Sequence, residues 1–136
     1  MQPGALMKLG LVPAIKDLTN RFQDDHYPDI DFQHYGLNKN LDTTMALMVF
    51  RIIQELLNNS IKYAKAGEIL IQLTRNVEEK ELIVMVEDDG VGYDIEQVKK
   101  GMGTENINSR VNYLKGDLSV HSVIGKGTST MINIPL

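Results

Sequence analysis

The 136-residue sequence predicts an α/β two-layer sandwich, a mixed sheet carrying its helices on one face. Three observations lead there. Segments of alternating apolar and polar residues recur with short polar turns between them, which favours antiparallel neighbours. Two other segments carry apolar residues at helical spacing, and the order reads strand, long helix, two strands, loop, helix, two strands.

Residues 1–23 read as a helix of modest quality, with Leu6, Leu9, Val12, Ile15 and Leu18 giving a period broken at Pro13 and little of its own to pack on. A polar loop over 24–28 precedes a first strand in which Ile30, Phe32 and His34 alternate with Asp31, Gln33 and Tyr35, ended by Gly36. Asp42 is a suitable N-cap for a long helix over about 43–66 that stops at Gly67, with Met45, Met48, Ile52, Ile53, Leu56 and Ile61 on its buried side. Strands follow over 68–75 and 81–87, joined by the polar turn 76–80. The second runs into Asp88-Asp89-Gly90-Val91-Gly92, and a polar segment over 93–100 leads to Gly101-Met102-Gly103-Thr104. Thr104 caps a helix with inner residues Ile107, Val111 and Leu114, its end marked by Gly116. Two alternating strands, 118–124 and 128–136, close the chain as a hairpin around Gly125-Lys126-Gly127.

Composition narrows the function. The net charge is -4, the pI is about 5.3, and the lysines and arginines are scattered, so nucleic acid is not an expected partner. Without cysteine there is neither a disulfide framework nor a thiolate metal site, which fits a reducing compartment. No apolar run reaches bilayer length, and the first residues lack the basic and apolar regions of a signal peptide, so no direct membrane contact is expected of this piece.

Four stretches carry possible chemistry. Within the long helix Glu55, Asn59 and Lys62 stand at i, i+4 and i+7, placing a carboxylate, a carboxamide and an ammonium on one face. Oxygen ligands of this kind suit magnesium, and a lysine suits the phosphates magnesium bridges. The same face also reads as an ordinary solvated surface. Asp88 at a strand exit is positioned to accept from the exocyclic amine of a base while the glycines beside it let a flat ring approach, although Asp-Gly is equally a common turn. The glycines at 101 and 103 precede a helix whose free N–H groups favour an anion, but Asn106 stands where a dinucleotide fingerprint needs glycine. No G-x-x-x-x-G-K-[ST] loop is present. Gly125-Lys126-Gly127-Thr128 by itself makes a hairpin turn.

Taken together and in this order, the four resemble the boxes of the ATP-binding catalytic domain of bacterial sensor histidine kinases, a member of the GHKL superfamily with gyrase B, the Hsp90 chaperones and MutL. Residues 55–64 look like its asparagine box, 88–92 like D-x-G-x-G, 101–103 like the second glycine box, and Gly125 through Pro135 like the terminal G-x-G-T and proline pattern. The resemblance implies a Bergerat-type fold with ATP and Mg2+ as ligands. It selects Asn59, not Asn58, as the magnesium ligand and puts Glu55 in the assisting or catalytic position. Lys62 would reach phosphate, also as a catalytic residue, and Tyr63 would line the nucleotide pocket. Asp88 would bind the adenine amino group, with Gly90 and Gly92 admitting ring and lid. Gly101, Gly103 and Thr104 would border the triphosphate, and Thr128 would lie behind the adenine. A glutamate at the head of the asparagine box, the short span from Gly92 to Gly101, and the absence of phenylalanine after Phe50 resemble the nitrate-sensor-type subfamily. Thr104, where leucine is usual, and Asn106 depart from the family pattern.

On this resemblance residues 1–23 are the tail of a dimerisation region and 24–136 the ATP-binding domain of a two-component sensor kinase. It would transfer the γ-phosphate to a histidine on a dimerisation domain outside this chain, in the cytoplasm, as part of a homodimeric and membrane-anchored sensor serving a response regulator. None of His26, His34 and His121 has the setting of a phosphoacceptor, so the chain reads as a catalytic domain without one. Two other functions fit the same boxes: a regulatory pseudokinase that only binds nucleotide, and an ATPase or serine kinase of the same fold such as an anti-sigma factor.

Overall fold

The computed structural model describes residues 10–23, 28–37, 41–62, 65–92 and 104–136. In chain order these form α1 (Leu11–Gln23), β1 (Asp29–Tyr35), α2 (Thr43–Lys62), β2 (Glu68–Asn76), β3 (Glu81–Asp88), α3 (Thr104–Tyr113), β4 (Asp117–Val123) and β5 (Gly127–Pro135). The five strands make one sheet in the order β1-β2-β3-β5-β4, with β1 parallel to β2 and every other neighbour antiparallel. The expected mixed sheet and α/β sandwich are what the chain forms.

Alternation sorts the strand residues between two faces. Ile69, Ile71 and Leu73 of β2, Leu82, Val84 and Val86 of β3, and Ile132 and Ile134 of β5 are buried in one core with Val49, Phe50, Ile52, Ile53, Leu56 and Leu57 of α2. Ile107, Val111 and Leu114 complete the helical layer, as their spacing predicts. Met45, Met48 and Ile61 are only partly buried and flank this core, whereas Ala46, Val49, Phe50 and Leu57 hold its centre.

α1 begins at Leu11, two residues before Pro13, so the proline falls in the first turn, where a missing N–H breaks no helical hydrogen bond. The helix does have a place to pack: Leu11, Ala14, Ile15 and Leu18 are buried in the common core. Residues 1–9 and 24–27 lie outside the described residues. Asp42 caps α2 as expected, its side chain accepting from Met45 N at 3.3 Å while its carbonyl accepts from Ala46 N at 2.8 Å. The described part of the helix ends at Lys62, and Lys65 and Ala66 are already outside it, so the helix does not run on to Gly67. Lys65 takes the left-handed conformation (φ 52°), Ala66 N returns to Ser60 O at 3.1 Å, and Gly67 is held from β3. Among the described residues no helix is long and apolar enough to cross a membrane.

Candidate functional site

The site is assembled where the C-terminal half of α2 meets the end of β3. Glu55 and Asn59 are half-buried on α2 and Lys62 is exposed at its end, one helical face as the spacing requires. Ser60, in the adjacent stripe, is buried among apolar residues, and its hydroxyl donates to Asp88 Oδ2 at 2.7 Å. The other carboxylate oxygen, Oδ1, accepts from Gly90 N at 2.9 Å. Each oxygen of a carboxylate has two acceptor positions, so Asp88 is fixed from both sides and still able to accept a donor from a ligand.

Thr128 stands beside Asp88 in the register of β3 and β5, on the same helix-facing side of the sheet. It is 9% exposed, and its hydroxyl is 2.8 Å from that of Ser122 on β4. The aspartate's neighbour, Asp89, turns the other way. Its Oδ1 accepts from Gly67 N at 2.8 Å and Glu68 N at 2.9 Å, tying the end of β3 to the start of β2.

Two glycines make close backbone contacts around the aspartate. Gly92 (φ 68°) lies so close to the Val123 carbonyl that a side chain there would collide with backbone. Gly127 (φ 126°) presses in the same way on the Asp88 carbonyl, and Gly125 N donates to Val91 O at 2.6 Å. The β4–β5 turn is thus clamped onto the loop after Asp88. Gly127 and Gly92 permit two backbone contacts that hold the aspartate's strand end in place.

Four predicted residues are positioned only in part or not at all. Thr104 opens α3, but its side chain is outside the described residues, as are Tyr63, Gly101 and Gly103. His34 lies in β1 and His121 in β4, both exposed, and His26 falls outside. The residue that sequence reasoning missed is Ser60. Its signal was present: positions 53, 56, 57 and 60 form one buried stripe, and a serine interrupts it.

The donor set suits magnesium. Among the described residues no three His, Cys, Asp or Glu side chains converge on a metal position. Glu55 and Asn59 together offer one carboxylate and one amide oxygen, the sparse protein share that magnesium accepts when water and phosphate fill its remaining positions.

A family model described as histidine kinase-, DNA gyrase B-, and HSP90-like ATPase matches residues 45–136, about two-thirds of the chain and all of the site just described. The chain belongs to this family. Members similar to it include the signal transduction histidine-protein kinase/phosphatase DegS of Brevibacillus brevis, 32% identical over 133 residues, covering 97% of this chain and 34% of that protein. The sensor histidine kinase ComP of Bacillus subtilis is 34% identical over 139 residues, covering 100% and 18%. The DegS of Bacillus subtilis is 31% identical over 142 residues, covering 99% and 36%. The chain thus spans little more than a third, at most, of these relatives. In fold it is similar to the histidine kinase domain of the blue-light activated histidine kinase of Erythrobacter litoralis EL346, with a TM-score of 0.70 at 24% identity over 90% of this chain and 59% of that one.

Proposed function

We propose that this ATPase-family domain is the catalytic domain of a two-component sensor histidine kinase, which transfers the γ-phosphoryl group of ATP to a histidine on the protein's own dimerisation domain. The observation that carries the reading is the fixed Asp88 carboxylate. Ser60 and Gly90 orient it at a strand end, Thr128 flanks it, and the Glu55–Asn59 face belongs to the same helix as Ser60. The names of the relatives, sensor and signal transduction histidine kinases, support the reaction.

In this reading Asp88 accepts a hydrogen bond from the adenine amino group, which favours adenine over guanine because guanine presents a carbonyl there. Thr128 closes the pocket behind the ring, and Gly90 and Gly92 leave room for the base. Glu55 and Asn59 would hold magnesium, which when bound would offset phosphate charge. Lys62 and the residues around Gly101, Gly103 and Thr104 neutralise and orient the phosphates, and Tyr63 lines the pocket. Phosphoryl transfer asks mainly for positioning and charge neutralisation, which such side chains supply. Glu55 is also suited to polarise the attacking imidazole. Residues 1–23 act as the tail of the dimerisation region and 24–136 as the catalytic unit, within a homodimeric, membrane-anchored sensor that works on the cytoplasmic side with a response regulator.

The test is to incubate the full-length protein with γ-labelled ATP and magnesium. The expected product is a protein-bound phosphate stable in base and labile in acid, the signature of phosphohistidine. Binding of ATP without any such product would identify a regulatory pseudokinase, and label on serine would identify a serine kinase of the same fold.

A further inference from the structure

The side of the sheet away from the helices carries a row of mostly acidic and polar residues. One transverse row runs through all five strands in register: Asp31 of β1, Leu70 of β2, Glu87 of β3, Ser129 of β5 and His121 of β4. Asp29, Glu68 and Asp89 border it toward the sheet end, and Val123 and Lys126 close its far side. These residues line a groove of about 780 Å³, to which no residue of α2 contributes. The same lining takes in Asp88, Gly127 and Thr128, so the groove reaches the sheet end that carries the Asp88 site, while its acidic row lies on the open face.

The groove is strongly one-signed. Asp29, Asp31, Glu68, Glu87 and Asp89 are gathered along β1 to β3, against Lys126 and His121 at the opposite lip. Asp89 is occupied by the backbone of β2, whereas the hydrogen bonds of Asp31 and Glu87 among the described residues go to neutral groups, Gln33 Nε2 at 2.9 Å and the Ser129 hydroxyl at 3.4 Å. Between the charges are apolar groups, Leu70 on the floor and Val123, 40% exposed, at the rim.

We infer that this groove docks a basic polypeptide segment, arginines or lysines alternating with apolar side chains. A second copy of the chain fits poorly, because it would bring the same carboxylates face to face. Nucleic acid is repelled for the same reason. A bare cation is not favoured, since among the described residues no three carboxylates converge on one point. Four inter-strand spacings of about 4.8 Å separate β1 from β4, so the row is roughly 19 Å long. An extended segment of about six residues at about 3.3 Å each matches that length. Alternation then presents its cationic side chains to Asp31 and Glu87, with their aliphatic stems and the backbone over Leu70, and turns the apolar side chains away from the sheet.

The inference is independent of the phosphotransfer reading and is tested without nucleotide. A labelled hexapeptide of alternating arginine and leucine is titrated against the chain by fluorescence anisotropy, beside one of alternating glutamate and leucine. The arginine peptide is expected to bind and the glutamate peptide not. The double variant Asp31→Lys with Glu87→Lys should weaken binding at least ten-fold with an unchanged melting profile. Glu78→Lys with Glu79→Lys, at the far end of the sheet, should leave it within two-fold. Absence of binding, or equal weakening by both double variants, would overturn the proposal. So would self-association in sedimentation velocity that Asp31→Lys with Glu87→Lys abolishes, since the groove would then be an interface between copies.

Discussion

The hydroxyl of Ser60 and the carboxylate of Asp88 are 28 positions apart in sequence and 2.7 Å apart in the fold, so one hydrogen bond joins the helix that carries Asn59 to the end of β3. A hydrogen bond to a charged group contributes more than a neutral one, and Ser60→Ala should cost about 1–2 kcal/mol in denaturant unfolding. Because Asp88 also loses its orientation, ATP affinity measured by calorimetry should fall several-fold. The glycines of the final turn separate two costs. Gly125 (φ 84°) has no heavy atom within 4 Å of where a Cβ would stand, so Gly125→Ala should lose only the left-handed penalty of about 1–2 kcal/mol. Gly127→Ala adds a collision with the Asp88 carbonyl to a backbone conformation nearly exclusive to glycine, and should lose on the order of 3 kcal/mol or more. Comparing the two unfolding curves checks both. At this scale spacing put Glu55 and Asn59 on one helix face and Asp88 at a strand exit, and it was the resemblance of the four boxes that singled them out. Ser60's partner and the role of Gly127 were not, since both depend on which strand end the helix and the turn come to lie against.

Strand and helix ends show how far local rules reach. Strand positions followed from period-two alternation to within a residue or two, because each strand buries only one face. Helix ends were less legible. The sequence marks the end of α3 at Gly116, yet it is Lys115 that takes the left-handed conformation (φ 59°), with Lys115 N bonded to Asn112 O and Gly116 N to Val111 O in a Schellman arrangement. Gly116 is needed for another reason: a Cβ there would stand 2.7 Å from Asn133 O on β5. Gly67 is likewise relieved of the stop by Lys65. The β2–β3 turn offers a pH test. A hydrogen bond with the Glu79 side chain, then burial, then the Glu79 charge hold the Glu81 carboxyl above its ordinary value of 4.5. A raised folded value means that the folded chain holds this proton more tightly than the unfolded one. The contribution is therefore fully present at low pH and lost as pH rises through the folded value. Glu79→Gln should gain stability relative to the parent as pH increases from below 4.5, and melting temperatures across the carboxylate range report it.

For the molecule as a whole, the sheet order β1-β2-β3-β5-β4 is what makes a site possible. The fold class was legible from the succession of elements, but this order was not. β5 lies beside β3 through eight paired positions, and that choice is decided by long-range pairing and by the seat Gly127 finds against Asp88. The hairpin β4–β5 then supplies Thr128 next to Asp88 and clamps the loop that follows it, while α2, crossing between the parallel strands β1 and β2, brings Glu55, Asn59 and Ser60 to the same end. The opposite face of that sheet end carries the acidic groove, so one strand terminus serves two surfaces. The central claim is that this end of the sheet binds the adenine of ATP through Asp88. Calorimetric titration of the chain and of Asp88→Asn with ATP and magnesium tests it most directly. The account predicts binding by the parent chain, weakened at least ten-fold in Asp88→Asn with the fold retained, since an amide replaces one acceptor oxygen with a donor. Equal ATP affinity in the two proteins, or no binding by the parent chain, would contradict it.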